Sequence, residues 1–263
     1  MTWPGVMGEG GGMVRNDDIH LRTLPQVPLR VEGSWPDPVV FTSGWFRARA
    51  RPWNEAVASP MVRLDRGGAE FLSSVTRHFE SLGLPEVFSP ALHPASTGSW
   101  HRIGYDKYAE LDVMECSLSR IADPSSEARV VSKPDWEEVL AVDRVAFDGF
   151  WGMSRVGLEE AHATNKDTVL LTVEEGTALS GYAIVGSQWG VTYLHRIAVH
   201  PERAGTGVGT SLVRAAMGWG YDTGGRIMVL NVRPENHRAK RLYERIGFAV
   251  TGSRLVVLRH HGR

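Results

Sequence analysis

A single cysteine, Cys116, stands in a chain of 263 residues. One thiol excludes an intramolecular disulfide and supplies no cysteine-built cluster, so no metal site is expected. Its place in the alternating run Leu111-Asp112-Val113-Met114-Glu115-Cys116 marks it as a buried strand residue rather than a nucleophile. Long apolar runs are also missing: none approaches the ~20 residues a membrane span needs, and no membrane partner is expected. Arg15, Asp17 and Asp18 fall where a signal peptide has an unbroken apolar core, so a cytoplasmic protein is expected. Nor is there a charge excess. Lys plus Arg total 29 and Asp plus Glu 30, which leaves no global field arguing for nucleic acid or an anionic membrane. No feature specifies an oligomeric state.

Glycine, by contrast, is concentrated where it has a purpose. Residues 199 to 210 read Val-His-Pro-Glu-Arg-Ala-Gly-Thr-Gly-Val-Gly-Thr. An apolar strand, Tyr193 to Val199, stops at a proline, crosses this turn and enters a helix over 208–223. Gly205, Gly207 and Gly209 permit positive φ and a close approach of backbone to ligand. The N–H groups at the start of the helix, with its dipole behind them, form an anion site suited to a phosphate or pyrophosphate. A tight strand-to-helix connection is the plainer reading of the same glycines.

A second motif follows: Leu230-Asn231-Val232-Arg233-Pro234-Glu235-Asn236, then a helix, then Ile246-Gly247-Phe248. Asn236 is an N-cap, Ala239, Leu242, Tyr243 and Ile246 form an apolar stripe, and Gly247 fits the C-cap. Upstream, the pattern predicts a strand at 129–132, helices at 135–147 and 154–164, and strands at 168–174, 178–186 and 191–199. It continues with a strand at 226–232, a helix at 236–246 and strands to about 260.

The first 18 residues are glycine-rich and read as a mobile tail. Residues 19–122 hold a helix, Ala69 to Leu82, and strands near 87–92 and 109–118. A polar linker, Asp123 to Glu127, then separates this half from residues 128–263. The halves form a weak repeat. Aligning Ile103-Gly104-Tyr105 with Ile246-Gly247-Phe248 puts Trp100 where Tyr243 stands and His93 where Asn236 stands. Before the first-half helix comes Leu64-Asp65-Arg66-Gly67-Gly68, with no Gly-x-Gly and an aspartate where an anion would sit. The first half has lost both the phosphate cradle and the phenol.

Strand, glycine turn, helix, strand, Asn-capped helix with a tyrosine, then Gly-Phe: over 128–263 this order resembles the GNAT superfamily of acyl-CoA-dependent N-acetyltransferases. The resemblance implies an α/β (α+β layered) fold with two tandem GNAT-like domains, each a central mixed, mostly antiparallel sheet flanked by helices. It implies acetyl-CoA as co-substrate and no metal. The pyrophosphate would lie against Gly205, Thr206, Gly207, Val208, Gly209 and Thr210, and the pantetheine arm along Ile197, Ala198 and Val199. Asn236 would be a further cofactor ligand, in addition to its cap. Family sequences usually carry Arg or Gln where Ala204 stands; Arg203 is the nearby positive charge instead.

Acyl transfer to an amine requires a neutral nucleophile and a protonated or stabilised leaving thiolate. A primary amine with a pKa near ~10.4 must lose a proton at neutral pH. His195 is the candidate base; Leu194 to His200 looks like the corresponding strand of arylalkylamine N-acetyltransferases, which carry a histidine there. Simple alternation puts it on one face with Tyr193, Ile197 and Val199. Glu174 and Glu235 are lesser candidates. Ribosomal-protein-alanine acetyltransferases, similar over Val139 to Trp151 and Val229 to Phe248, have a glutamate where Asn231 stands, and an asparagine cannot be a base. Tyr243 matches the family's general acid, although it also lies on the apolar stripe of its helix. The resemblance places the acceptor, a small-molecule amine or a peptide N-terminus, among Phe147, Phe150, Trp151, Met153 and Trp189. Asp148 and the Glu159-Glu160 pair are possible attractors of a cationic amine. Two alternatives stay open: a mycothiol-synthase-like small-molecule acetyltransferase, and a catalytically silent acyl-CoA-binding regulatory protein.

Overall fold

The structure, a computed structural model, describes residues 24–119, 128–131 and 134–262. The expected tail (1–18) and linker (123–127) lie outside those residues. The first half runs β1 (Arg30–Glu32), β2 (Val39–Ser43), β3 (Phe46–Pro52), β4 (Pro60–Arg66), α1 (Ala69–Ser81), β5 (Glu86–Phe88), α2 (Gly98–His101) and β6 (Asp106–Ser117). The second half follows with β7 (Arg129–Val131), α3 (Trp136–Ala146), α4 (Arg155–His162), β8 (Asp167–Glu175), β9 (Ala178–Gln188) and β10 (Val191–Val199). It closes with α5 (Val208–Asp222), β11 (Ile227–Val232), α6 (His237–Ile246) and β12 (Ala249–His261).

Among the described residues, twelve strands join one sheet in the order β1-β2-β3-β4-β5-β12-β6-β11-β10-β9-β8-β7. Of these strands, β4/β5 and β10/β11 pair in parallel and the other neighbours antiparallel. The last strand of each half lies between the last two strands of the other: β12 separates β5 from β6, and β6 separates β11 from β12. The two sheets that the repeat leads one to expect are therefore merged by reciprocal strand exchange. This covers edges that a separate half would leave unpaired.

Helix–sheet packing follows the apolar patterns. On α1, Phe71, Leu72, Val75 and Phe79 are fully buried, and each contributes ~1.5–3 kcal/mol by leaving water. In the second half, β9 is buried on both faces. Its Ala183 and Val185 join the core under α5 and α6, while Tyr182 and Ile184 join the core under α3 and α4. The predicted strand at 87–92 ends early, at Phe88. Pro90 has no N–H for a ladder, and beyond Phe88 the Ser89 N–H bond to Leu258 O (2.8 Å) and the isolated Leu92–Val256 bridge carry on the contact with β12.

The repeat is visible in local geometry. Gly104 and Gly247 are left-handed, with φ of 87° and 111°. Tyr105 N–H donates to Trp100 O (3.1 Å) just as Phe248 N–H donates to Tyr243 O (3.0 Å). His93 and Asn236 both accept a first-turn N–H, from Ala95 and Ala239 respectively. A short 3-10 turn, Pro94–Ser96, and the four-residue α2 replace the longer helix of the second half.

Candidate active site

The β10–β11 ladder runs from Val191/Ile227 to Leu194/Leu230 and stops. Beyond it β10 keeps pairing with β9 and β11 with β6, so Ile197, Ala198 and Val199 have no ladder partner on their β11-facing edge. At the point of divergence, β10 carries a bulge between Leu194 and Arg196. The extra residue resets the alternation. Leu194, Ile197 and Val199 pack with the core under α5 and α6, whereas Ala198 packs under α3 and Arg196 bonds Asp143 of α3. The alternation expected from sequence, with His195 sharing the face of Ile197 and Val199, is therefore interrupted.

His195 has specific partners. Its Nε2 lies 2.5 Å from Asn165 Oδ1, and its ring stacks on Tyr193 at 5.9 Å. The Asn165 amide is itself oriented, because its Nδ2 donates to Gln188 Oε1 (3.1 Å). The amide oxygen only accepts, so the proton sits on Nε2 and the lone pair on Nδ1. Gly186 makes the space: a Cβ there would lie 2.2 Å from Asn165 Oδ1 and 2.7 Å from His195 Nε2. Burial pushes the His195 pKa down to about 4. A depressed histidine stabilises the fold above its ordinary pKa of ~6.5, and that stability is lost as pH falls from there through about 4. In an NMR titration the imidazole is expected to stay neutral at pH 6 and to protonate near 4; a midpoint near ~6.5 would contradict the burial argument.

Arg196 is held from several sides. Its Nε and Nη2 donate to Asp143 Oδ2 (2.7 Å) and Oδ1 (2.8 Å), and Nη2 also donates to Trp151 O (2.9 Å). The guanidinium sits 3.5 Å from the Phe147 ring centre. Burial opposes its charge, and the Asp143 hydrogen bonds overcome this and hold its pKa above the ordinary value. Asp143, fully buried, also accepts from Tyr182 Oη (2.5 Å) and Met153 N (2.8 Å). Sequence reasoning missed this cluster, since Asp143 reads there as one more polar residue on a helix.

The glycine turn is shaped as a cradle. Gly205 and Gly207 are left-handed, at φ 93° and 99°, with open space where a Cβ would project. Gly207 caps α5 without a side-chain cap bond, and the helix's own ladder leaves the N–H groups of its first turn, Val208 to Thr210, without acceptors. Thr206 Oγ1 closes the turn onto Arg203 O (2.8 Å). Gly209 has a different purpose from the other two. It is helical, and a Cβ would come within 3.2 Å of Leu242 Cδ2 and 3.6 Å of Val199 Cγ2, so it serves the packing of α5 against α6 and β10. Arg203 is engaged with Glu175 at 2.6 Å.

Across the opening, Asn236 Oδ1 caps α6 by accepting Ala239 N–H (3.1 Å), which leaves its Nδ2 for another contact. Tyr243 is 5% exposed and packs on Phe248 at 5.8 Å. Its hydroxyl makes no hydrogen bond among the described residues, and burial pushes its pKa up to about 12. A core tyrosine ordinarily finds a partner for that hydroxyl. The expected acceptor residues divide. Phe147, Trp151 and Met153 are tied to Arg196 and Asp143, Phe150 turns toward the first half and stacks on Trp53 at 4.4 Å, and Trp189 is 93% exposed at its hairpin tip. Asp148 pairs with Arg233, Glu159 with Arg155 and Glu160 with Arg51, so none is an uncommitted attractor. Glu174 is exposed near the cradle end of the sheet, remote in register from His195, and Glu235 precedes the α6 cap. Among the described residues no group of three or more His, Cys, Asp or Glu could hold a metal, and no helix is long and apolar enough to cross a membrane.

The family model for the acetyltransferase (GNAT) family matches residues 136–248, which span α3 to α6. This part of the chain is a GNAT domain. The L-amino acid N-acyltransferase MnaT of Escherichia coli (strain K12) is 29% identical over 103 residues, 37% of this chain and 59% of that protein. This chain thus spans less than two thirds of that relative's length. Solved structures match across both halves. A tandem GNAT protein from the clavulanic acid biosynthesis pathway is 16% identical, with a TM-score of 0.54 over 90% of this chain and 85% of its own. A GCN5-related N-acetyltransferase from Kribbella flavida is 13% identical, with a TM-score of 0.54 over 89% and 90%. Another from Sphaerobacter thermophilus is 19% identical, with a TM-score of 0.52 over 87% and 82%. These likenesses establish the GNAT fold over the exchanged pair of halves, as the repeat and the two motifs lead one to expect.

Proposed function

We propose that the GNAT domain transfers an acetyl group from acetyl-CoA to a primary amine, of a small molecule or a peptide N-terminus, by direct attack within a ternary complex. The observation that carries this reading is the conjunction at one opening of the sheet: among the described residues, the first-turn N–H groups of α5, the β11-facing edge of Ile197 to Val199 and the hydroxyl of the largely buried Tyr243 make no protein hydrogen bond. The left-handed Gly205 and Gly207, with open space above them, fit a pyrophosphate against Gly205 to Thr210. The edge of Ile197, Ala198 and Val199 fits an arm carrying amides, added like a strand. Asn236 Nδ2 can donate to the same ligand, and Arg203 would have to leave Glu175 to do so. When bound, acetyl-CoA supplies the activated thioester.

Tyr243, protonated throughout the physiological range, serves as a hydrogen-bond donor to charge developing on sulfur. His195, at the bulge where β10 and β11 part, keeps a lone pair on Nδ1, and its low pKa makes it an acceptor for a proton passed through water rather than a strong base. The amine therefore carries much of the pH dependence, and the rate is expected to rise toward the amine's own pKa. Free amino acids are the first acceptors to try, given the L-amino acid N-acyltransferase among the relatives.

A second reading, a CoA-binding protein without turnover, is favoured by the weak basicity of His195 and the engagement of Arg203. A coupled assay separates the two. CoA thiol release is followed with free L-amino acids, peptides with free N-termini and arylalkylamines as acceptors, with mass detection of products. Equimolar CoA and N-acetylated amine is the expected result; tight acetyl-CoA binding without product from any amine would leave the second reading standing.

A further inference from the structure

One loop of the first half is hydrogen-bonded to the α3–α4 connection, which carries the expected acceptor residues Phe150, Trp151 and Met153, beside the Arg51–Glu160 pair and the Phe88 and Tyr108 contacts to Phe150. Between β3 and β4, Asn54 is 4% exposed and fully engaged. Its Nδ2 donates to Gly149 O (2.7 Å), Gly152 O (2.7 Å) and, more weakly, Phe150 O (3.3 Å). Its Oδ1 accepts from Ala56 N (2.9 Å) and Val57 N (2.8 Å), which fixes the amide's orientation within its own loop. Beside it, Trp53 stacks on Phe150 with ring centres 4.4 Å apart and 19° between planes, and its indole N–H donates to Phe150 O. Three carbonyls of the α3–α4 connection, those of Gly149, Phe150 and Gly152, are thus bonded by two adjacent first-half side chains.

The other side of that connection is held from within the GNAT domain. Arg196, next to His195 on the bulged strand, donates to Trp151 O, and Asp143 accepts Met153 N–H. The segment 149–153 is therefore clamped between Asn54 and Arg196, with Trp151 between the two anchors. Moving the Asn54 anchor moves Trp151 relative to His195 without touching the cradle at the other end of β10. A buried amide whose donors meet three carbonyls of a facing loop is a costly arrangement unless the loop's position matters, because each lost bond strands a buried polar group.

We propose that Asn54 is a positioning residue for acceptor binding, so that acceptor specificity in the GNAT domain is set by the first half of the chain. This rests on the acyltransferase reading above. Asn54→Asp is the diagnostic variant. It keeps an oxygen for Ala56 and Val57 N–H, and so its own loop, while replacing the donors to 149–152 with a second acceptor. Trp53→Phe is the milder companion, keeping an aromatic ring for the stack while losing the indole donor and part of the stacked surface.

Both are tested in the full chain with the best amine of the panel named above. Asn54→Asp is expected to raise KM for that amine about tenfold or more while kcat stays within about threefold, the split expected when substrate placement is lost. Calorimetry should find acetyl-CoA affinity unchanged within about twofold, and amide hydrogen exchange should quicken over 148–153 and not in α5. Trp53→Phe should show the same pattern at smaller amplitude. An active wild type with faster loop exchange in Asn54→Asp but an unmoved KM overturns this inference alone, as does a parallel collapse of kcat and acetyl-CoA binding. A wild type that acetylates none of the panel overturns the acyltransferase reading, and this inference with it.

Discussion

Tyr243→Phe is expected to lower kcat by about 10²–10³-fold and to leave acetyl-CoA affinity within about twofold. The substitution removes one hydroxyl and no packing surface: the ring stays against Phe248 and in the core formed with Leu212, Leu230 and Val232. That hydroxyl has no partner to strand among the described residues, so stability should hardly change, and the unfolding midpoint should stay within ~2 °C. With its pKa pushed up to about 12, the phenol is a poor acid for a thiolate of pKa ~8.5 before any charge shift, and a good fixed donor. Stabilisation of developing charge, more than complete proton delivery, is the role its environment supports. Single-turnover kinetics separates chemistry from release and checks this directly. Loss of acetyl-CoA binding in the variant would instead make Tyr243 a structural residue.

Asp143→Ala is the stability counterpart, with an expected loss of ~3–5 kcal/mol. The carboxylate is fully buried and receives Arg196 through two bonds, Tyr182 Oη and Met153 N–H. Removing it leaves a guanidinium buried against Phe147, a tyrosine hydroxyl without its acceptor, and the α3–α4 connection unpinned at Met153. For a chain of this size the unfolding midpoint should fall by ~6–20 °C. Asp143→Asn, which keeps an acceptor and the volume, should lose less. Thermal melts of the three proteins decide the point. A midpoint for Asp143→Ala within ~2 °C of wild type would mean that the pair contributes nothing net.

The two variants bear on different layers of sequence legibility. Local chemistry was readable: the glycine turn before α5, the Asn236 cap, the α6 stripe and the Gly247 C-cap appear where residue types and spacing put them. The degenerate repeat was readable at its end, where Trp100, Gly104 and Tyr105 reproduce the bonds of Tyr243, Gly247 and Phe248. The exchange of β6 and β12 was not, because pairing between strands more than a hundred residues apart has no local signature. The bulge at His195 escaped for a related reason: one extra residue leaves the composition of a strand unchanged and reverses everything after it. Asn54 reads in sequence as a turn residue, and its donors matter only because the fold brings residues 149–152 against it.

The central claim is that acetyl-CoA is held by the turn from Gly205 to Thr210. Calorimetric titration of wild type and Gly207→Glu with acetyl-CoA tests it most directly. At φ 99° a glutamate is strained by ~1–3 kcal/mol, and it brings a negative charge to the first-turn N–H groups of α5. A circular-dichroism melt shows whether the variant stays folded. One site per chain in wild type, abolished in folded Gly207→Glu, is the predicted result. No binding by wild type, or binding that survives the substitution, would contradict it.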